Sequence, residues 1–251
     1  MESDLDLIED GVVIHKAAVP PADVQLVKLA ADKAYAAVEA VGIGIEPEGS
    51  CADLIKHIAS TIDWGGMHVS QALDIAQSSC PDAGAAFDRI VERVEQILAD
   101  SRRRSGAKYR EDLSYLRRHR SRWAGRRGRL TPVPWHFDAG AAGTAEWDPC
   151  FNVWMPLVPV GTICPTLEFL PRSSFHVRSG RFTTTPDVGF PDEAWVSSIL
   201  SDDLRLAPIL RPGDIAIFDH WTLHRTQPLA WALRTRTSAE IRFSDQPFQP
   251  S

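Results

Sequence analysis

The chain has 251 residues, 44% of them hydrophobic and 24% charged, with a net charge of −6 and a mean hydropathy of −0.17. That composition belongs to an ordinary globular protein and excludes a disordered or fibrous one; no apolar run approaches the roughly 18–20 residues a membrane helix needs, and the acidic start MESDLDLIED lacks the basic-then-apolar order of a secretory signal. Four scattered cysteines (Cys51, Cys80, Cys150 and Cys164) with no CxxC spacing read as free thiols, so the cytoplasm is the expected location.

Residues 5–14, LDLIEDGVVI, end in a short β-branched run after Asp10-Gly11, a turn entering a strand. In VPPADVQLVKLAADKAYAAVEAV the prolines suit the first turn of a helix. Val24, Leu26, Val27, Leu29, Ala30 and Ala34 follow at helical spacing. Residues 51–62 predict a second helix. A third is expected from about Ala85 to Arg104, striped by Phe87, Ile90, Val91, Val94, Ile97 and Leu98.

Residues 102–129 hold twelve Lys or Arg against Glu111 and Asp112, a strong local positive balance in a chain that is otherwise acidic. One reading is a solvated surface arm. The other is an attractive rim for an anionic substrate or carrier. Few aromatics are interleaved with these charges, which argues against a nucleic-acid partner. Beyond residue 113 the texture changes to short runs broken by Gly and Pro: LSYLRRH, LTPVPWHFD, CFNVWMPLV, PTLEFLP, LRLAPIL, DIAIFDHW and RTSAEIRF. Strands of this length predict an all-β barrel or sandwich. The expected organisation is one domain over 1–251, with a helical part (about 1–112) packed outside a β-rich core (about 113–251).

The chemistry starts at PVPWHFDAG, residues 132–140. A strand places i and i+2 on one face, so His136 and Asp138 share a face and Trp135 and Phe137 share the other. The pair is either a hydrogen-bonded polar couple or half of a metal site. A two-histidine, one-carboxylate facial triad needs a second histidine from a distant strand and leaves positions open for non-heme iron. His176, His220 and His224 follow the pair; His15, His57, His68 and His119 precede it. In LRPGDIAIFDHWTLHRTQP, a Pro-Gly-Asp turn leads into a buried strand and then to His224, with His220 as its rival. Downstream, LRTRTSAEIRF places Arg234, Arg236, Ser238, Glu240 and Arg242 on one strand face. A barrel that buries an arginine needs an anion for it, and a guanidinium grips a carboxylate as a two-pronged fork. Arg117 and Arg118 alternate on YLRRHR, so one of them points inward, toward a substrate carboxylate or phosphate or a barrel acid such as Glu168.

Taken in order, these segments resemble the phytanoyl-CoA dioxygenase family of iron(II)/2-oxoglutarate oxygenases. Glu9-Asp10-Gly11-Val12-Val13 is similar to its opening strand, and Pro21-Ala22-Asp23 falls at its first helix start. His136-Phe137-Asp138 is similar to its HxD, Trp154-Met155-Pro156-Leu157 to its WxxL strand, and Pro212-Gly213-Asp214 with His224 to its PGD and distal histidine. Leu170-Pro171-Arg172-Ser173-Ser174 stands where the family has PGSH, so Arg172 replaces a glycine and Ser174 a histidine. The resemblance implies a double-stranded β-helix of the jelly-roll or cupin type, with helices packed outside. It implies iron(II) on His136, Asp138 and His224, and 2-oxoglutarate held by Arg236 and Ser238. Arg234 is the alternate anchor, and Trp154 and Asn152 line the same pocket. It further implies consumption of O2, release of succinate and CO2, hydroxylation of a substrate, and stimulation by ascorbate. Halogenating relatives carry a small residue in place of the aspartate, so Asp138 points away from halogenation.

The expected substrate is a small and anionic molecule: an amino acid, a CoA or carrier-protein thioester, or a natural-product intermediate. Desaturation or ring closure on the same metal are alternative outcomes. The segments expected to contact it are 40–83, 102–129 and 176–203, with Arg117 and Arg118 as candidate residues. Two other readings stand beside the oxygenase: a non-catalytic metal and 2-oxoacid sensor, and a zinc hydrolase. The latter needs a general-base carboxylate of the HExxH kind, which the sequence lacks.

Overall fold

The computed structural model describes residue 7 and residues 9–62, 66–100, 107–119, 133–138, 150–173, 190–191, 193–200, 205–229 and 234–244. The chain opens with β1 (Val12–His15), α1 (Pro21–Val41), α2 (Ala52–Thr61), β2 (Gly66–His68), α3 (Val69–Ala76) and α4 (Ala83–Asp100). It continues with β3 (Lys108–His119), β4 (Cys150–Pro156), β5 (Leu167–Phe169), α5 (Glu193–Ile199), β6 (Ile215–Asp219), β7 (His224–Thr226) and β8 (Arg236–Ser244). Six strands form a sheet in the order β1-β6-β4-β8-β3-β2, and β5 and β7 form a second sheet; all the pairs are antiparallel.

The period of two along each strand sorts the large sheet into two faces. Phe151, Val153, Met155, Ile215, Ile217, Ala239, Ile241 and Phe243 face the helices. There they pack with Val24, Val27, Ala31 and Tyr35 of α1 and with Phe87, Ile90, Val94 and Leu98 of α4. The opposite face, with Trp154, Ala216 and Phe218, meets Leu167 and Phe169 of the small sheet. Trp135, Phe137, Leu170 and Leu223 pack separately with Val196 of α5. The helices therefore cover one face of the large sheet, and the other face is left to build an interior between the sheets.

Local chemistry fixes the ends. Pro20 precedes α1 and Pro21 opens it, as the missing amide hydrogens allow. Gly213 of the Pro-Gly-Asp turn has φ +104°, and a Cβ there would lie 3.0 Å from the Val19 carbonyl oxygen. The next residue locks the turn: the Asp214 carboxylate accepts from the amides of Ala17 at 2.8 Å and Arg211 at 2.9 Å. α3 starts at a capping box, where the His68 amide donates to the Gln71 side chain at 3.1 Å.

Several expectations change. β1 is the strand expected after Asp10-Gly11, but β2 between α2 and α3 was not expected, and β3 starts at Lys108, before residue 113. α3 was not expected. LRLAPIL makes only isolated bridges, Leu206 to Phe169 and Leu210 to Val160. The third helix is described to Asp100, and 101–106 lie outside the described residues. The basic run is no free arm where it is described. It forms β3, and Lys108, Arg110, Arg117 and Arg118 pair with Glu95, Asp112, Glu240 and Glu39. Residues 120–132 lie outside the described residues. Among the described residues no helix is long and apolar enough to cross a membrane.

Ile241 is fully buried between the sheet and the helices. Its replacement by alanine is expected to cost about 2–5 kcal/mol, read as a lower midpoint in equilibrium urea unfolding.

Candidate active site

His136 and His224 are joined by two backbone hydrogen bonds, each amide donating to the other residue's carbonyl at 2.9 Å. This closely paired bridge sets the two imidazoles side by side, with ring centroids 4.2 Å apart. Asp138, two residues on from His136, shares its face. Its carboxylate lies 3.9 Å from His136 Nε2 and 3.7 Å from His224 Nε2. One ligand atom from each of the three residues lies within 4.8 Å of the others, a spacing that suits a single ion about 2 Å from each.

Each ring is held by its other nitrogen. His136 Nδ1 sits 2.9 Å from the Pro134 carbonyl oxygen and His224 Nδ1 3.0 Å from that of Thr222. A proton donated there leaves Nε2 as a lone pair aimed at the cluster, the usual arrangement around a metal. The turn before β7 is itself braced. The Leu223 amide donates to Ser173 Oγ at 2.8 Å, and the Thr222 hydroxyl lies 2.7 Å from the Gly11 carbonyl oxygen. Asn152 Nδ2 donates to the Asp138 carboxylate, and Arg242 Nη1 lies 3.5 Å from it. Trp135 and Phe137 point the other way, into the cluster under α5.

Burial by itself would raise the Asp138 carboxyl, but Arg242 and the two imidazoles hold it well below the usual carboxylate range. Burial, and then the neighbouring His224 ring, push His136 down to about 4.

The cluster opens on a cavity of about 590 Å3 between the sheets. Arg236 lies in its wall, only 1% exposed, with its guanidinium 5.5 Å from the Trp154 ring centroid. Among the described residues it forms no ion pair, and its one hydrogen bond is from Nη1 to the Thr166 carbonyl at 3.4 Å. Burial brings its pKa down to about 10, a measure of how poorly the charge is compensated. Arg236 Nε, Trp154 Nε1, Thr166 Oγ1 and Ser238 Oγ are all buried without a partner. A buried cation ringed by unmet donors fits a carboxylate ligand, and the two-histidine, one-carboxylate set fits iron(II).

The alternatives left open by the sequence separate here. Arg234 is exposed two residues before β8, while Arg236, which opens the strand, is buried. His220 is outside the three-residue cluster, with Nδ1 2.9 Å from the Cys150 carbonyl oxygen. Asn152, Trp154 and Arg117 line the cavity; Ser238 is buried but is not part of the lining. Arg118 faces the helices instead, 3.6 Å from Glu39 and over the Tyr35 ring. Neither β3 arginine reaches Glu168, which pairs with Arg225 at 2.6 Å. Arg172 takes φ +65°, the left-handed conformation that glycine adopts without cost, and its side chain pairs with Asp10 at 2.9 Å. Ser174 and His176 lie outside the described residues.

Sequence reasoning named the 40–83 segment but not its side chains: His57, Thr61, Met67, His68 and Gln71 line the cavity, with Tyr115, His119, Phe190, Glu240 and Arg242. The polar even face of β8 was the signal for Glu240 and Arg242. For His68 and Gln71 it was the capping pair, which also marks the start of the missed helix.

No family model and no curated protein sequence matches the chain. Solved structures do. EvdO2 from Micromonospora carbonacea var. aurantiaca, complexed with 2-oxoglutarate, superposes with a TM-score of 0.62 at 14% identity, covering 100% of this chain and 95% of that one. The non-heme alpha-ketoglutarate-dependent carbocyclase SnoK, from nogalamycin biosynthesis, gives 0.61 at 14% identity over 97% and 85%. AviO1 from Streptomyces viridochromogenes Tue57 gives 0.59 at 16% identity over 98% and 94%.

The depressed His136 pKa has a consequence for stability. The unfolded chain binds a proton near pH 6.5 that the folded chain resists until about 4, so this contribution is complete above 6.5 and lost as pH falls toward 4. The metal-free protein is expected to lose on the order of a few kcal/mol over that window. His136→Gln is expected to flatten the dependence, measured by urea unfolding at stepped pH. The architecture that carries these residues is the jelly-roll fold shared with the non-heme 2-oxoglutarate-dependent enzymes.

Proposed function

We propose that this chain is a single-domain iron(II)/2-oxoglutarate-dependent dioxygenase that hydroxylates a small organic substrate and releases succinate and CO2. One observation carries the reading: a cluster of His136, Asp138 and His224 opens on the same cavity as Arg236, a buried guanidinium with no anion of its own among the described residues. EvdO2, of the same fold, binds 2-oxoglutarate.

In this reading His136, Asp138 and His224 hold the metal, and Arg236 holds the distal carboxylate of 2-oxoglutarate. Bound iron supplies the activation of O2 that couples cosubstrate decarboxylation to substrate oxidation. The protein does the rest. Pro134 and Thr222 fix the imidazole tautomers. Asn152 orients the Asp138 carboxylate. Trp154 presents its ring to the guanidinium. Ser238, buried beside Arg236 on β8, assists the anchor. The four cysteines are unpaired, which fits the reducing cytoplasm.

A zinc hydrolase is less well supported, because Glu240, the other carboxylate among the described cavity residues, is tied to Arg117 at 2.6 Å. It is not free to act as a general base.

The assay is succinate release from 2-oxoglutarate with iron(II) and ascorbate. His224→Ala is expected to abolish it together with stoichiometric iron binding. Arg236→Gln is expected to retain iron but to weaken 2-oxoglutarate binding roughly 10- to 150-fold, the equivalent of losing about 1.5–3 kcal/mol of charged hydrogen bonding. Normal turnover in both variants would overturn the reading.

A further inference from the structure

We infer that Arg242 is the substrate's anchor in this site and that the substrate is a small monoanionic carboxylate; this rests on the oxygenase reading above.

The charges in the cavity decide it. Among the described lining residues the ionised groups are Arg117, Arg236 and Arg242 against Asp138 and Glu240. Arg117 and Glu240 satisfy each other at 2.6 Å. Arg236 is assigned to the cosubstrate. That leaves Arg242, whose ion pair is with Asp138, at 3.5 Å. Once a divalent ion occupies the cluster, the Asp138 charge is taken up by the metal. Arg242 is then a cation whose counter-charge is spent elsewhere, with its side chain 14% exposed.

Its place on β8 suits substrate better than cosubstrate. Arg242 is six residues from Arg236 on the same face, about 20 Å along the strand. It lies opposite Asn152 in the register, while Arg236 lies opposite His119. The two arginines thus stand toward opposite ends of the interior. One unspent positive charge balances one carboxylate. A phosphate monoester, with roughly two negative charges near neutral pH, would exceed it.

The rest of the wall mixes apolar groups such as Ile58, Met67 and Phe190 with hydrogen-bonding ones: Gln71 of α3, and His68 packed on Tyr115 with ring centroids 4.4 Å apart. A short acid fits there. Chaining metal–oxygen, oxygen–Nη1 and hydrogen-bond distances puts the gripped carboxylate oxygen within about 8.5 Å of the metal. The oxidised carbon is then only a few bonds from the acid group.

The test uses the full chain loaded with zinc, a redox-inert stand-in for iron, and saturated with 2-oxoglutarate so that Arg236 is occupied. Calorimetry compares benzoate with benzamide, cyclohexanecarboxylate with its amide, and phenyl phosphate. Each acid is expected to bind at least tenfold more tightly than its amide and more tightly than the phosphate. Arg242→Gln is expected to abolish the preference for the acid, and Arg242→Lys to keep part of it. Equal binding of acids and amides, no binding of any acid, or tighter binding of the phosphate overturns the inference. So does an acid preference that survives in Arg242→Gln, which would mean the probe ligates the metal. Loss of zinc and 2-oxoglutarate from Arg242→Gln also overturns it, because Arg242 would then only position Asp138. Failure of the unsubstituted chain to bind zinc and 2-oxoglutarate would instead strike the oxygenase reading itself.

Discussion

Two backbone hydrogen bonds, between His136 and His224, carry the organisation of this interior. The residues are far apart in the chain, and neither belongs to the large sheet. Their mutual pairing sets the spacing of the imidazoles, and the alternation of an extended segment then fixes Asp138 beside them. Everything else around the cluster serves that pairing. Ser173 and Gly11 hold the turn before His224. Phe137 and Leu223 anchor both segments from behind, in the apolar cluster under α5. The donor set stands on rigid backbone and not on flexible side-chain reach, as a preorganised metal site requires.

The large sheet uses its two faces for opposite purposes. The odd positions of β8 are apolar and bury against α1 and α4, where they contribute stability. The even positions are charged or hydroxylic and face the interior. Burying a guanidinium without a counter-charge is costly, and among the described residues Arg236 has no ion pair and its Nε is buried unpartnered, as are Trp154 Nε1, Thr166 Oγ1 and Ser238 Oγ. Unmet polar groups this concentrated have no structural benefit. They make sense as one side of a contact that a ligand completes, with the cost carried by the apolar face of the same strand.

Much of this was legible in the sequence. The HxD spacing, the Pro-Gly-Asp turn and the polar even face of β8 each follow from a local rule that tertiary context did not override. The Gly213 turn is an example: positive φ and close approach to Val19 both demand glycine. The misses have separate causes. LSYLRRH reads as a strand, but whether the basic run around it is a free arm depends on Glu39, Glu95 and Glu240, which lie on other elements and pair with it. Charge density alone reads as solvated, and only the partners reveal burial. α3 was missed because its eight residues show barely two turns of periodicity.

The choice between Arg117 and Arg118 shows where pattern stops and geometry begins. Alternation requires that one face in and one out, and it cannot say which. A register shift in β3 between Arg110 and Tyr115 settles it, turning Tyr115, Arg117 and His119 to the cavity and Leu116 and Arg118 to the helices. The inward arginine then meets Glu240 across the β3–β8 pair. A cation that looks available in the sequence is thereby neutralised, and Arg242, two residues beyond Glu240 on β8, pairs with Asp138. The register shift thus determines which β3 arginine meets Glu240.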